Sequence, residues 1–282
     1  MLKKIAKEML PPFIHSMLRG IVKAENRPYS PYWHTIKSGI LQGRQLFIDP
    51  RDGLWQKEMI EGRYDRFIFD YLSSLNLQGK TFFEIGAQIG FHAMHFAALA
   101  GDEGFVYAFE PNGFNRERMD IILEKNPDLA KRIRMFDVAI SDSNGQEEFY
   151  FCRDVDGGRS SGSFIAKAHT YYPKSRQYLE LFETTLIKTV SLDNIAFLIG
   201  PDIVPNVIKI DVEGAESSVL RGGIEMLRKH RPLILMEVHS IYNMLKTSEI
   251  LQSARYKVVL LKEEPDDGRC FIAAEPLSEI LP

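Results

Sequence analysis

The feature that most constrains this chain is a rhythm: from Lys80 onward, short apolar runs alternate with stretches of helical periodicity. Lys80–Ile85, Phe105–Phe109, Ile133–Val138, Val207–Ile210, Leu233–Val238, Lys257–Leu261 and Cys270–Ala273 read as strands. Ile89–Leu99, Phe114–Lys125 and Ala215–Lys229 read as helices between them. Strands joined through helices make right-handed crossovers, which predicts an α/β fold with a doubly wound, mostly parallel sheet. Asn144-Gly145, a pair that favours positive φ, is expected to turn the third strand into Glu147–Phe151.

Two regions stand outside this rhythm. Trp55 to Leu75 carries Met59, Ile60, Tyr64, Phe67, Ile68 and Tyr71 at helical spacing and reads as one long helix entering a main domain of residues 55–282. Residues 1–54 read as a helical or irregular extension. Met1 to Val22 divides at Pro11-Pro12 into short amphipathic helices, where Lys3, Lys4, Lys7, Arg19 and Lys23 face only Glu8 in opposition. Such helices pack on the domain or a partner subunit, or make peripheral contact with an anionic membrane surface. The other region, 153–184, is a lid-like insertion rich in Gly and Ser at its start and in aromatic rings later. A connection of that length in an α/β domain is commonly a binding loop, and Lys174 and Arg176 suit an anionic acceptor.

Composition removes several classes. The chain has 282 residues, 45% hydrophobic and 26% charged, with a formal net charge of -3. No basic field exists to hold nucleic acid. Cys152 and Cys270 form no CxxC pair, which argues against a disulfide scaffold or cysteine-ligated zinc and suits a reducing compartment. No apolar run reaches the roughly 18 residues of a membrane span, and Met1–Lys23 has no cleavable leader pattern. The expectation is a cytoplasmic protein, working in part at the inner face of the membrane.

Chemistry concentrates at strand ends. The first strand closes in Glu84-Ile85-Gly86-Ala87-Gln88-Ile89-Gly90 as a helix opens, and glycines there let a ligand approach backbone and helix N–H groups. Glu110-Pro111-Asn112 ends the next strand, 20 residues beyond Gly90. An acid at that place can accept both hydroxyls of an adenosine ribose. A dinucleotide fold wants a glycine where Gln88 stands and no carboxylate at Glu84, which would repel pyrophosphate. S-adenosylmethionine carries an ammonium and a sulfonium and no phosphate, so Glu84 becomes an asset.

These residues, with Val138-Ala139-Ile140-Ser141-Asp142, Ser191-Leu192-Asp193, Ile208-Lys209-Ile210-Asp211-Val212-Glu213-Gly214-Ala215-Glu216, Leu220-Arg221-Gly222-Gly223 and Glu237-Val238-His239, resemble the FkbM family of S-adenosylmethionine-dependent methyltransferases. The likeness runs from about Thr81 to His239. It implies a class I, Rossmann-like, seven-stranded sheet. It also implies a cofactor surrounded by Glu84, Gly86, Ala87, Gln88, Gly90, Glu110, Pro111, Asn112 and Ala139, with Asp137 or Ala139 beside the adenine. Glu84 and Gln88 are each one methylene longer than the Asp and Asn usual in the family.

On the acceptor side, Asp211 ends the fourth strand and Glu237 and His239 the fifth, so all three project toward the reaction. His239, with its ordinary pKa near 6.5, is the best-placed base, with Asp211 orienting it or acting itself. The three can instead hold a divalent metal such as Mg2+. Glu213 and Glu216 read as helix-start carboxylates, Lys209 as paired with a neighbouring acid, and His92 and His95 as packing or surface residues, His92 close to the cofactor. The function this implies is O-methylation of a hydroxyl on a glycan, lipid-linked saccharide or related small molecule, as in surface-polysaccharide assembly. The alternatives are a non-catalytic binding or assembly protein and, behind it, an NAD-dependent oxidoreductase.

Overall fold

The computed structural model describes residues 30–51, 53–151, 162–170, 182–264 and 268–277. The expected helices of Met1–Val22 lie outside them, as does most of the insertion, Lys174 and Arg176 included.

Seven strands form the central sheet: β3 (Thr81–Ile85), β4 (Phe105–Phe109), β5 (Ile133–Phe136), β10 (Val207–Ile210), β11 (Leu233–Val238), β12 (Tyr256–Glu264) and β13 (Arg269–Pro276). Their order is β12-β13-β11-β10-β3-β4-β5, parallel except that β13 runs antiparallel to both β11 and β12. This is the doubly wound, Rossmann-like, seven-stranded sheet that the family resemblance implies. Residues alternate between its faces: Phe82, Val106 and Ala108 join one buried cluster, Phe83, Ile85, Phe109, Ile208 and Ile210 the other. Both faces are covered, so the central strands are apolar nearly throughout.

A hairpin of β1 (Tyr32–Thr35) and β2 (Gln45–Ile48) precedes the sheet. Ile36, Leu41, Leu46 and Ile48 enter the first cluster beside Phe82 and Met94, so this part of the N-terminal extension is strand and packs into the domain core. The long helix expected over 55–75 is two, α1 (Leu54–Glu61) and α2 (Arg66–Leu72). Gly62 stops the first at φ 73, its N–H bonding Met59 O while Arg63 N bonds Glu58 O, a Schellman pair. A Cβ there would lie 2.1 Å from Ser38 O.

The crossover helices are α3 (Phe91–Ala100), α4 (Gly113–Glu124) and the short α5 (Pro127–Ala130), then α6 (Ala196–Ile199), α7 (Glu216–Arg221), α8 (Ile224–His230) and α9 (Ile241–Ser253). The helix expected over 215–229 divides at Gly222-Gly223, where Gly223 leaves the helical backbone and Gly222 passes so close to Ser141 that a Cβ would sit 2.1 Å from its carbonyl.

Asn144-Gly145 does not fold the third strand onto the next. β5 stops at Phe136, β6 (Ala139–Ile140) pairs in parallel with β9 (Glu183–Val190), and β7 (Gly145–Phe151) lies antiparallel between β9 and β8 (Phe164–Ile165). Asn144 Oδ1 is drawn to Ser191 N at 2.9 Å instead. A four-stranded sheet thus stands over the cofactor edge of the main one.

Candidate active site

β3 and β10 are neighbours whose crossovers leave in opposite directions, so a crevice opens beyond their carboxyl ends. Asp211 N donates to Ile85 O at 3.0 Å there. Gly86, at φ 83, makes that approach possible, since a Cβ would fall 1.8 Å from Asp211 O. The turn after β3 differs from a phosphate loop. Its N–H groups are spent within the protein: Gly86 and Ala87 on Phe109 O, Gln88 on Glu110 Oε2 at 2.8 Å, and Gly90 on Ala87 O. These four N–H groups are therefore not available to a pyrophosphate. A cationic ligand has no such need.

Glu110 accepts from Gln88 N and, through Oε1, from Asn112 N at 2.9 Å. Burial pushes its carboxyl up to about 7, against the pull of these donors. The Asn115 side chain is a third hydrogen-bond partner, so of about four acceptor positions on the carboxylate one remains for a hydroxyl.

The crevice is a cavity of about 880 Å³, inside the rough 300–1,000 Å³ range of small-molecule sites. Gly86, Ala87, Gln88, Glu110, Pro111 and Ala139 line one end with Phe109, Ile140 and Phe149. Asp211, Glu213 and Glu237 line the cavity as well, Asp211 directly against Gly86. Three of the cavity's residues hold a left-handed backbone without being glycine: Asp65 (φ 51), Gln88 (φ 50) and Glu213 (φ 52). Strain of this kind gathers at functional sites. Gln88→Gly is expected to stabilise the fold by about 0.5–1 kcal/mol, the left-handed penalty less the added chain entropy, read as a higher Tm.

At the acidic end, His239 is 1% exposed. Its Nδ1 meets Glu216 Oε1 at 2.7 Å, and its Nε2 faces Glu237 Oε1 at 3.6 Å, Glu213 Oε2 at 3.7 Å and Asp211 Oδ1 at 3.8 Å. Burial alone would lower its pKa, but Glu213 and Glu216 raise it to about 10. At neutral pH His239 holds its proton, so it serves as a fixed cation rather than the expected base. Burial raises the Glu237 carboxyl to about 8, with Asp211 adding to the effect. Burial would raise Asp211 too, yet Lys209, 3.1 Å from Oδ2, and His239 keep it below the ordinary carboxylate value. Of Asp211 and Glu237, Asp211 is the one that stays ionised. The pairing expected for Lys209 is with Asp211, and Glu216 is a buried positioning group, bonded by Gly214 N at 3.0 Å as well as His239.

Several residues read as cofactor ligands stand back from the cavity wall. Glu84 is 0% exposed, and both its oxygens are buried without a hydrogen-bond partner. Burial pushes its carboxyl up to about 8, with Lys209, its register partner on β10, pulling the other way. It lies inside the sheet, since the first strand continues straight to Ile85 before turning. Gly90 caps α3 against Met119. Asn112 caps α4 through Phe114 N and donates to Ser163 Oγ at 3.1 Å, tying the insertion to the domain. Asp137 is turned outward, its side chain 71% exposed and 2.7 Å from Arg116 Nη1, so of the two residues read beside the adenine only Ala139 reaches the cavity. His95 stacks on Phe69 with centroids 3.9 Å apart, as a packing residue should. His92 packs among Tyr64, Phe69 and Phe91, lines the cavity and lies 3.1 Å from Asp65.

Sequence reasoning missed the acceptor wall. Trp55 comes from the start of α1, Tyr64 and Asp65 from the α1–α2 junction and Phe67 from the first turn of α2, and Lys262, Arg269 and Phe271 from the β12–β13 hairpin. Arg269 Nη1 bonds Glu237 Oε1 at 2.7 Å. The available signal was Gly62 inside an otherwise helical stretch, followed at once by Arg63-Tyr64-Asp65-Arg66. Ser163, Phe164 and Ile165, from the described part of the insertion, also line the cavity.

Residues 84–258 match the Methyltransferase FkbM domain. The chain belongs to the FkbM methyltransferase family. As an FkbM protein it is an S-adenosylmethionine-dependent methyltransferase. It is 24% identical over 245 residues to the hexuronic acid methyltransferase AglP of Haloferax volcanii, covering 83% of this chain and 91% of AglP. It is 28% identical over 164 residues to the 2-O-methyltransferase NoeI of Sinorhizobium fredii, covering 57% of this chain and 64% of NoeI. A crystal structure of methyltransferase FkbM from Methylobacillus flagellatus KT aligns at a TM-score of 0.49 and 19% identity, over 72% of this chain and 45% of that one. The FkbM cofactor suits the cavity's chemistry: an acceptor carboxylate at Glu110, apolar walls at Phe109, Ile140 and Phe149, and carboxylates rather than phosphate-binding donors beyond the turn.

Proposed function

We propose that this enzyme transfers a methyl group to a hydroxyl of a sugar-type acceptor, a glycan or lipid-linked saccharide. The observation that carries the reading is that Glu110 and the Asp211–Glu237 pair open into one cavity, with Trp55, Tyr64, Phe67 and Phe271 walling its acidic end. Aromatic faces suit sugar rings, and two relatives, one named for hexuronic acid and one for 2-O-methylation, support the same acceptor class.

Glu110 would hold the cofactor's ribose, with Phe109, Ala139, Ile140 and Phe149 beside its adenine. When bound, S-adenosylmethionine supplies an electrophilic methyl on a positively charged sulfur. Asp211 accepts the proton leaving the acceptor oxygen as the new carbon–oxygen bond forms, a role worth roughly 10²–10⁴ in rate. Lys209 and His239 hold that carboxylate ionised and in place. The aromatic wall orients the sugar and excludes water. Among the described residues no helix is long and apolar enough to cross a membrane.

Titration with S-adenosylmethionine, S-adenosylhomocysteine and NAD is the first test, followed by transfer of labelled methyl to a panel of neutral and acidic glycosides. The adenosyl ligands should saturate and NAD should not; labelling of no glycoside would remove the acceptor half. Glu110→Ala should weaken S-adenosylhomocysteine about 10- to 100-fold, the loss of a hydrogen bond to a charged group. The pH dependence follows from the sign of the shift. Because burial raises Glu110 to about 7, the folded protein carries its proton below that pH, and the protonated group has fewer acceptor positions. Affinity should therefore fall as pH drops from 8 to 6, and Glu110→Gln should flatten the profile. The stability contribution of the same shift runs the other way, present at acidic pH and lost as pH rises through about 7.

A further inference from the structure

We infer that Asp211, Glu237 and His239, with Glu213 alongside, form a binding site for one divalent cation of the Mn2+ or Mg2+ type at the acceptor end of the cavity. A donor atom from each of the first three lies within 4.8 Å of the others. The imidazole is what separates this group from an ordinary acidic patch. His239 is almost wholly buried, its ring is fixed from behind by Glu216 at Nδ1, and its Nε2 points at three carboxylate oxygens 3.6, 3.7 and 3.8 Å away. Those separations are too long for hydrogen bonds. They are wider than a closed coordination shell, since ligands about 2.0–2.2 Å from Mg2+ or Mn2+ stand about 3 Å apart, so the carboxylates would draw in by under about 1 Å around a bound ion.

The surrounding contacts fit the same reading. A metal-binding histidine characteristically donates its other ring N–H to a carboxylate, which fixes the ring, and an entering ion would displace the proton that His239 carries on Nε2 in the metal-free protein. Glu216 has that place, itself fully buried and anchored by Gly214 N and Asn243 Nδ2. Lys209 takes Asp211 Oδ2, leaving Oδ1 turned toward His239. Arg269 takes one lone pair of Glu237 Oε1 without covering Oε2. Asp211, Glu213 and Glu237 all reach the cavity surface, so an ion held there would meet an acceptor oxygen directly. Mostly oxygen donors favour Mg2+ or Mn2+, and the single imidazole tilts the choice toward Mn2+. Only the role in activating an acceptor hydroxyl rests on the proposed function; the binding does not.

The experiment is electron paramagnetic resonance of the whole chain titrated with Mn2+ alone, without cofactor or acceptor. One Mn2+ per chain is expected, displaced by Mg2+, with spin-echo modulation from a coordinated imidazole nitrogen. Glu237→Gln and, separately, Glu213→Gln should each weaken it at least tenfold at unchanged Tm. No saturable binding up to millimolar Mn2+, binding without nitrogen modulation, or equal binding in both variants would overturn the site. Titrating the same samples with S-adenosylhomocysteine keeps a failed metal site distinct from a failed methyltransferase reading.

Discussion

Gly86→Ala is expected to cost about 3–5 kcal/mol, a Tm lower by roughly 6–20 °C for a domain of this size. Gly86 sits at φ 83, and an added Cβ would lie 1.8 Å from Asp211 O and 2.9 Å from Asp211 C. Neither is a side chain that can rotate away. Relief requires parting β3 from β10 at the Asp211 N to Ile85 O bond. Gly43→Ala supplies the control, since Gly43 has φ 86 with nothing within 4 Å of its added Cβ. That variant bears only the left-handed backbone penalty, about 1–2 kcal/mol. If the two variants melt together, the close approach of strands is not what Gly86 is for. Thermal unfolding followed by circular dichroism makes the comparison.

Asp211→Asn is expected to slow methyl transfer about 10²- to 10⁴-fold while leaving S-adenosylhomocysteine affinity within a few fold. The amide keeps the side chain's shape and can still accept from Lys209, but it takes up no proton at neutral pH. Single-turnover transfer at saturating acceptor isolates the step. A loss smaller than tenfold would pass the proton-accepting role to Glu237, whose carboxyl also lines the cavity. Both outcomes keep His239 out of that role, because Glu213 and Glu216 hold its proton on.

Much of this was legible from residue order. Strands β3, β4, β10 and β11 could be read because each is a short apolar run bounded by turn residues, and parallel strands covered on both faces must be apolar throughout. The crevice followed from topology, since strand ends meet at a switch point wherever crossovers diverge. Glu110, Asp211 and Glu237 were identifiable as strand-end acids, and all three line the cavity. Elements were misread where one residue's neighbours in space outweighed its neighbours in sequence. The 55–75 helix ends where Gly62 turns left-handed against Ser38, and the 215–229 helix is interrupted where Gly223 leaves the helical backbone beside Gly222, which packs on Ser141.

The sequence by itself thus determined the sheet, the cofactor class and the strand ends at which chemistry collects. These depend on short-range pattern, on which residue types a strand or turn accepts and where the chain must reverse. Tertiary structure alone decided how far Glu84 and Asp137 stand from the cavity, which aromatic side chains wall the acceptor end, and that Asp211 is ionised while His239 keeps its proton. Exposure and protonation depend on distances between groups far apart in the chain. His239 and Glu216, 23 positions apart in the chain yet hydrogen-bonded at 2.7 Å, show why no reading along the sequence could supply them.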